Sequence, residues 1–362
     1  MRIAMLSPYY KVISRGNENF AHKMRKSFEE RGHKIDIISY KLDNLMLKEW
    51  ENIIERSQVS SFFKKFIGIE PSLMQYEYYK SFPHWFLNDF ASYDIVWNNA
   101  EFFGGLLCNK IKKKFGTATM TTFQGNDSML MITEAMLKPD LFVVLTPYFE
   151  TFLKRHVEGN IKCIPSGVDL SIFRPMDSRI VDYEKMEHPI FLSTSALTKP
   201  KRVDVIIDAV TEYRRMQKKG SLIVTSSGSN EEEIRKKGES QLGCHFKFLG
   251  RVKKETLPVV YNSMDIYIQA SRSEGMSAAL LEAMACNKPC VVSRDENRKW
   301  TINADHPESG GYCVPDNTIA GFTWSMLNVA NINWGERPIN QARKFSWDKT
   351  VDTYIEEMEK IC

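Results

Sequence analysis

The stretch "SRSEGMSAALLEAMACNKPCVVS", residues 271–293, sets Glu274 and Glu282 eight positions apart. Before it, "DIYIQA" (265–270) is a short apolar run that reads as a buried strand ending near Ala270. Good helix formers from about Ser277 predict a helix, and "PCVVS" (289–293) reads as the next strand. Glu274 then lies in a strand-to-helix loop. Gly275 lets that backbone turn tightly or approach a ligand closely. The N–H groups of Met276, Ser277 and Ala278 fall at a helix N-terminus, which suits a phosphate. Glu282 lies about one and a half turns further on. A carboxylate there can accept two hydrogen bonds from a vicinal diol such as a ribose. The plain alternative is a capped helix with two surface glutamates, since many helices meet that spacing by chance.

Outward from this stretch, strands and helices alternate. "PIFLSTSA" (189–196), "SLIVTSS" (221–227) and "HFKFLG" (245–250) read as strands. Helices are expected over 201–220, 231–241 and 254–264. The N-terminal half has the same rhythm. "RIAMLS" and "IDIIS" flank a helical "ENFAHKMRKSFEERGHK", and strands follow at 94–100, 117–122, 141–146 and 161–165. Alternation of this kind predicts α/β architecture with two doubly wound parallel sheets, whose ligands lie at strand carboxyl ends. The expected domains are 1–168 with 346–362, and 169–345. Ser346 is expected to cap a last amphipathic helix.

Composition narrows the function. The 362 residues are 43% hydrophobic and 26% charged with a net charge of +4, ordinary for a globular protein and too weakly basic for a nucleic-acid binder. Seven scattered cysteines suit a reducing compartment, and Cys286 with Cys290 has no second pair to make a zinc site. No apolar run approaches the length of a membrane span, and the first residues are too short an apolar run for a signal peptide. A cytoplasmic protein is expected. No G-x-G-x-x-G follows the first strand, which argues against a dinucleotide-dependent dehydrogenase.

Several segments together resemble the retaining family-4 glycosyltransferases of GT-B fold (glycosyl transferases group 1). They are the Glu-x7-Glu stretch, "IPSGVDLSIFRP" (164–175), "ALTKPKRVDVIIDAV" (196–210), "FLGRV" (248–252) and "FSWDKT" (345–350). The likeness covers essentially residues 160–362. In the N-terminal half it is limited to "MRIAMLSPYY", "RGHKIDIIS" and "TTFQGND" (121–127).

The resemblance implies two Rossmann-like domains facing across a cleft, with the C-terminal helix crossing back to the N-terminal one. It implies hexosyl or N-acetylhexosaminyl transfer from a UDP- or GDP-sugar to a saccharide or lipid-linked acceptor, with no cofactor and no metal. No D-x-D pair is present to hold one. Glu274 takes the place of the glutamate on the donor sugar, and Glu282 that of the one on the ribose. Lys201 matches the lysine on the donor diphosphate. The family's partner arginine is replaced by Ala196, so Arg202 or Lys199 is expected to supply the second charge. Gly16 is the candidate for the glycine that meets the donor, and Gln124 stands where the family has a histidine that helps place the transferred sugar. Glutamine bonds but does not shuttle protons. Gly228 and Arg251 are candidates for reading the base, or else a turn glycine and a surface arginine. Asn126 and Asp127 are weaker candidates for the acceptor; Asp127 alternatively caps a helix. Aromatic and basic residues at 60–86, with "NKIKKKF" (109–115), suggest either peripheral membrane contact or core packing with solvated lysines. Ala196 and Gln124 also keep open a degenerate nucleotide-sugar-binding subunit, and a sugar-nucleotide epimerase is a further alternative.

Overall fold

The structure is a computed structural model that describes residues 1–7, 16–38, 88–99, 102–177 and 186–362. The aromatic segment 60–86 and most of the loop before Gly16 lie outside the described residues. The chain forms two compact units, Met1–Ile164 with Val351–Cys362, and Pro165–Thr350.

Unit 1 holds a six-stranded parallel sheet of order β2-β1-β3-β4-β5-β6. Its strands are β1 (Arg2–Leu6), β2 (Lys34–Ile38), β3 (Ile95–Asn99), β4 (Ala118–Phe123), β5 (Leu141–Val144) and β6 (Ile161–Cys163). Its helices are α1 (Gly16–Glu29), α2 (Phe102–Phe115), α3 (Ser128–Ala135) and α4 (Pro147–Lys154). The chain runs from β1 out to β2, then returns to the other side of β1 as β3. Unit 2 repeats the plan with order β12-β11-β10-β7-β8-β9. The strands are β7 (Ile190–Ser193), β8 (Ser221–Thr225), β9 (Phe246–Gly250), β10 (Ile266–Gln269), β11 (Cys290–Val292) and β12 (Gly311–Cys313). The helices are α5 (Val203–Gln217), α6 (Glu231–Leu242), α7 (Leu257–Asn262), α8 (Ala278–Ala285), α9 (Glu296–Ile302), α10 (Ile319–Ala330) and α11 (Arg337–Ala342). A last helix, α12 (Trp347–Glu359), starts in unit 2 and ends in unit 1. Here the chain leaves β7 for β8 and β9, then returns to the other side of β7 as β10.

Both faces of the second sheet are buried. Ile190, Leu192 and Tyr267 point into one apolar cluster, while Phe191, Ile266 and Ile268 point into another. Alternation with both faces apolar is what helices on both sides of a parallel sheet require. Burying this much apolar surface, at about 25 cal/mol per Å², is the main force holding each sheet to its helices.

The structure shifts some expected boundaries. The helix expected from 201 begins at Val203, because Lys199–Lys201 is a 3-10 turn and Arg202 is left-handed at φ 52°. The unit boundaries fall at 164/165 and 350/351, a few residues from the expected 168/169 and 345/346. Residues 165–168 and 346–350 bond to one another and so stay together: Trp347 N donates to Val168 O at 3.4 Å and Thr350 Oγ1 to Pro165 O at 3.0 Å. Ser346 caps α12 as expected, accepting from Lys349 N at 3.4 Å. Among the described residues no helix is long and apolar enough to cross a membrane.

Candidate functional site

In unit 2 the chain reverses its order across the sheet between β7 and β10, which pair in parallel. The loops leaving these two strands start at this switch point, where a doubly wound sheet usually has the crevice that takes its ligand. Lys201 follows β7 and Glu274 follows β10. The two loops are joined where Arg272 N donates to Pro200 O at 2.8 Å, and Lys201 Nζ meets Glu274 Oε1 at 2.6 Å. Both side chains are partly buried, 28% and 16% exposed, so the pair is less screened than a surface one.

The Glu274 loop is tethered at both ends. Ser277 caps α8 by accepting from Leu280 N at 3.3 Å, and buried Gln269, the last residue of β10, donates to the same hydroxyl at 2.8 Å. On the other side, Asn297 Nδ2 of α9 donates to Glu274 O at 2.8 Å. The next residue, Arg298, is 1% exposed. It pairs with Asp295 and donates to Ser271 O at 2.8 Å and Ser293 O at 3.1 Å, stitching the ends of β10 and β11 together. Burial lowers the proton affinity of Arg298, but a guanidinium stays charged at any ordinary pH.

Glu282 projects from α8 toward α7. Its Oε2 accepts from the Tyr261 hydroxyl at 3.0 Å. Thr194, just past β7, lies 3.1 Å from the Tyr261 hydroxyl and 3.3 Å from that of Tyr267 on β10. Part of Glu282 reaches solvent. Burial still pushes its carboxyl up to about 7, against the opposing hydrogen bond from Tyr261 and the charge of Lys254. Burial raises the Tyr267 phenol too, and the charges of both Glu282 and Glu274 add to that rise. Both carboxylates therefore act on one buried tyrosine of β10. The site offers a cation, two carboxylates and the first N–H groups of α8, the groups that bind a diphosphate and sugar hydroxyls.

The other expected residues fall in several places. Gly275 is buried, Met276 packs against the core, Ser277 is the cap and Ala278 is the first residue of α8. Arg202 points elsewhere than Lys201. Its guanidinium donates to Asn317 O at 2.7 Å, and it lines a separate cavity with Lys199 and Arg272. Gly228 packs backbone against backbone, since a Cβ there would stand 2.3 Å from Leu197 O. Arg251 is exposed beyond β9.

In unit 1, Gly16 is the first residue of α1, and Gln124 donates to Asn99 Oδ1 at the end of β3, 2.7 Å away. Asn126 is exposed, and Asp127 caps α3 by accepting from Met129 N and Leu130 N at 2.9 and 3.0 Å. Sequence reasoning missed Thr194, Tyr261, Asn297 and Arg298. An aromatic in an apolar run and a polar pair in a stretch without clear periodicity carry no signal of their own.

Comparisons with known proteins meet this geometry. Residues 178–345 match the family "Glycosyl transferases group 1". An uncharacterised glycosyltransferase of Methanocaldococcus jannaschii is 21% identical over 97% of this chain and 96% of its own. Among solved structures, the sucrose-phosphate synthase of Thermosynechococcus elongatus superposes with a TM-score of 0.75 at 17% identity, over 99% of this chain and 98% of that one. HepE of Anabaena, solved with UDP-glucose, gives 0.72 at 12% identity over 99% and 100%. The family match covers residues 178–345, and the pair of six-stranded parallel sheets gives the chain a GT-B-type α/β fold like that of these solved structures.

Proposed function

We propose that the protein is a retaining, metal-independent glycosyltransferase that moves a hexose or N-acetylhexosamine from a UDP- or GDP-sugar to a saccharide or lipid-linked acceptor. The observation that carries this reading is the meeting of Lys201 and Glu274 at the β7/β10 crevice, with Glu282 on the helix that follows. That a structurally similar protein was solved with UDP-glucose supports the choice of donor class.

In this reading Lys201 and the N-terminus of α8 neutralise the departing diphosphate. Glu274 holds hydroxyls of the donor sugar, and Glu282 holds the ribose. Gln124 helps place the transferred sugar by hydrogen bonds alone. The bond from the anomeric carbon to the phosphate oxygen breaks. The acceptor oxygen bonds to that carbon on the same face, and its proton passes to the leaving phosphate oxygen. A diphosphate drawn to Lys201 competes with Glu274 for the ammonium, so donor binding frees Glu274 to turn toward the sugar. Exposed Lys110, Lys113 and Lys114 on α2 suit a peripheral contact with anionic lipid.

The test is a thermal-shift panel of UDP, GDP, ADP and NAD, with and without EDTA. A ligand at about 100 times its dissociation constant adds about 2.7 kcal/mol. A selective shift by UDP or GDP that survives EDTA is expected. Glu282→Ala should weaken that nucleotide about ten-fold or more while the fold persists, the worth of one or two charge-assisted hydrogen bonds. Equal affinity in wild type and variant would remove Glu282 from the ribose.

A second reading, a subunit that binds nucleotide-sugars without turnover, is favoured by one observation. Ala196 is exposed where the second cation is expected, and Arg202 is turned to Asn317. It predicts the same thermal shift with no sugar transfer and no donor hydrolysis.

A further inference from the structure

The hydroxyls behind Glu282 form a directed chain. Oε2 of Glu282 accepts from Tyr261, and the Glu282 carboxylate makes no other hydrogen bond with the described residues. With the Tyr261 proton committed to the carboxylate, the Tyr261 oxygen is left to accept from Thr194. Thr194, having given its one proton, accepts in turn from Tyr267. The order Tyr267 to Thr194 to Tyr261 to Glu282 is the one assignment that satisfies all three links while Glu282 is ionised. Such a chain polarises toward the charge at its end, each link strengthening the next.

The chain ties β7, β10, α7 and α8 together, the elements that flank the crevice. Tyr261 and Tyr267 are fully buried, and the Tyr261 ring sits edge-on to Phe173 at 5.9 Å. Such rings cannot swing away without opening the core, so the Tyr261 hydroxyl is a fixed point from which Glu282 is oriented.

We propose that Tyr261 is a positioning residue for nucleotide recognition: its hydroxyl, oriented by Thr194, holds Oε2 of Glu282 and presents Oε1 to the ligand's ribose diol. The proposal rests on the reading of Glu282 as the ribose carboxylate. It adds that a residue which touches no ligand sets how well the diol is read. The charged and titratable groups acting with Glu282 are Tyr261 on α7, Tyr267 on β10, Lys254 ahead of α7 and Cys286 after α8.

The experiment compares wild type, Tyr261→Phe and Thr194→Val by calorimetric titration from pH 5.5 to 8.5. The probes are UDP or GDP, whichever gives the larger thermal shift, and its 2′,3′-dideoxy analogue. Wild type should prefer the ribose form by about ten-fold at pH 8, and less as acid protonates Glu282. Tyr261→Phe keeps the buried ring. It should cut the preference to about three-fold or less and move the pH midpoint upward, because a hydrogen bond that favours the carboxylate is gone. Its affinity for the dideoxy analogue should not change. Thr194→Val should fall between the two, and it carries the test should Tyr261→Phe not fold. A purely packing role for Tyr261 would weaken both probes alike and leave the midpoint in place, which overturns the proposal. Wild type that binds both probes equally, or neither nucleotide, overturns the reading of Glu282 and the proposal with it.

Discussion

Glu134 is a carboxylic acid in the wrong solvent. It is 1% exposed on α3, and neither oxygen has a hydrogen-bond partner among the described residues. Burial pushes it up to about 8. The unfolded chain releases this proton near the ordinary value of about 4.3, while the folded chain keeps it to about 8. Its contribution is therefore complete below about pH 4 and is lost as pH rises toward 8, because over that window the native state binds more protons. Glu282, raised to about 7, acts with the same sign. Glu134→Gln removes the titration and keeps the shape. Calorimetric melts should find the variant about 1–3 kcal/mol more stable than wild type at pH 8, with most of the gap gone at pH 5. A gap that does not change with pH would show that Glu134 does not titrate in this window.

At the scale of elements, the crevice depends on loops that touch backbone to backbone. Leu197 in the loop after β7 exchanges hydrogen bonds with the loop after β8, giving from N to Ser227 O and accepting at O from Asn230 N. At Gly228 they touch directly, since a Cβ there would stand 2.3 Å from Leu197 O. Gly228→Ala would force the loops apart, and overpacking of this kind costs about 1–3 kcal/mol. Chemical denaturation should show that loss, and nucleotide affinity should fall with it, since Lys201 follows the displaced loop. Loss of stability with intact nucleotide binding would mean the two loops move independently. The Glu274 loop is held by α9 as well. Asn297→Ala removes its bond to Glu274 O and should weaken nucleotide-sugar binding several-fold while leaving UDP or GDP binding nearly unchanged. Equal losses with sugar and without it would place Asn297 outside the sugar's reach.

At the scale of the whole molecule, the two units share one chain crossing and one helix. Residues 165–168 and 346–350 lie together in unit 2, where a Cβ on Gly167 would stand 2.7 Å from Trp347 Cα. From Val351 the last helix belongs to unit 1, and Val351, Tyr354 and Met358 are fully buried there. Tyr354 stacks on Trp97 at 5.1 Å, meets Phe20 edge-on at 5.9 Å and places its hydroxyl 3.3 Å from Thr122 Oγ1. Tyr354→Ala should cost unit 1 about 3–5 kcal/mol, the usual loss for a large buried aromatic. Hydrogen exchange should speed up in β1, β3 and β4 while β7 and β10 stay protected. Equal deprotection of both sheets would show that the units unfold as one.

The sequence by itself determined what local pattern can carry. Apolar runs separated by amphipathic helices gave eleven of the strands, because the strands of a doubly buried sheet are apolar on both sides. Glu274 and Glu282 were legible from a strand, a Glu-Gly step and a helix read in order. The strand Gly311–Cys313 was not, since it opens on the second of two adjacent glycines, a residue type depleted in strands. Tertiary structure alone decided the partners. Lys201 and Glu274 are 73 positions apart and meet because β7 and β10 are neighbours in the sheet. Arg202, one residue on, is carried to Asn317 by its left-handed backbone. Tyr261 and Thr194 stand behind Glu282 for the same reason: sheet order sets which distant loops share a crevice, and local sequence patterns do not encode it.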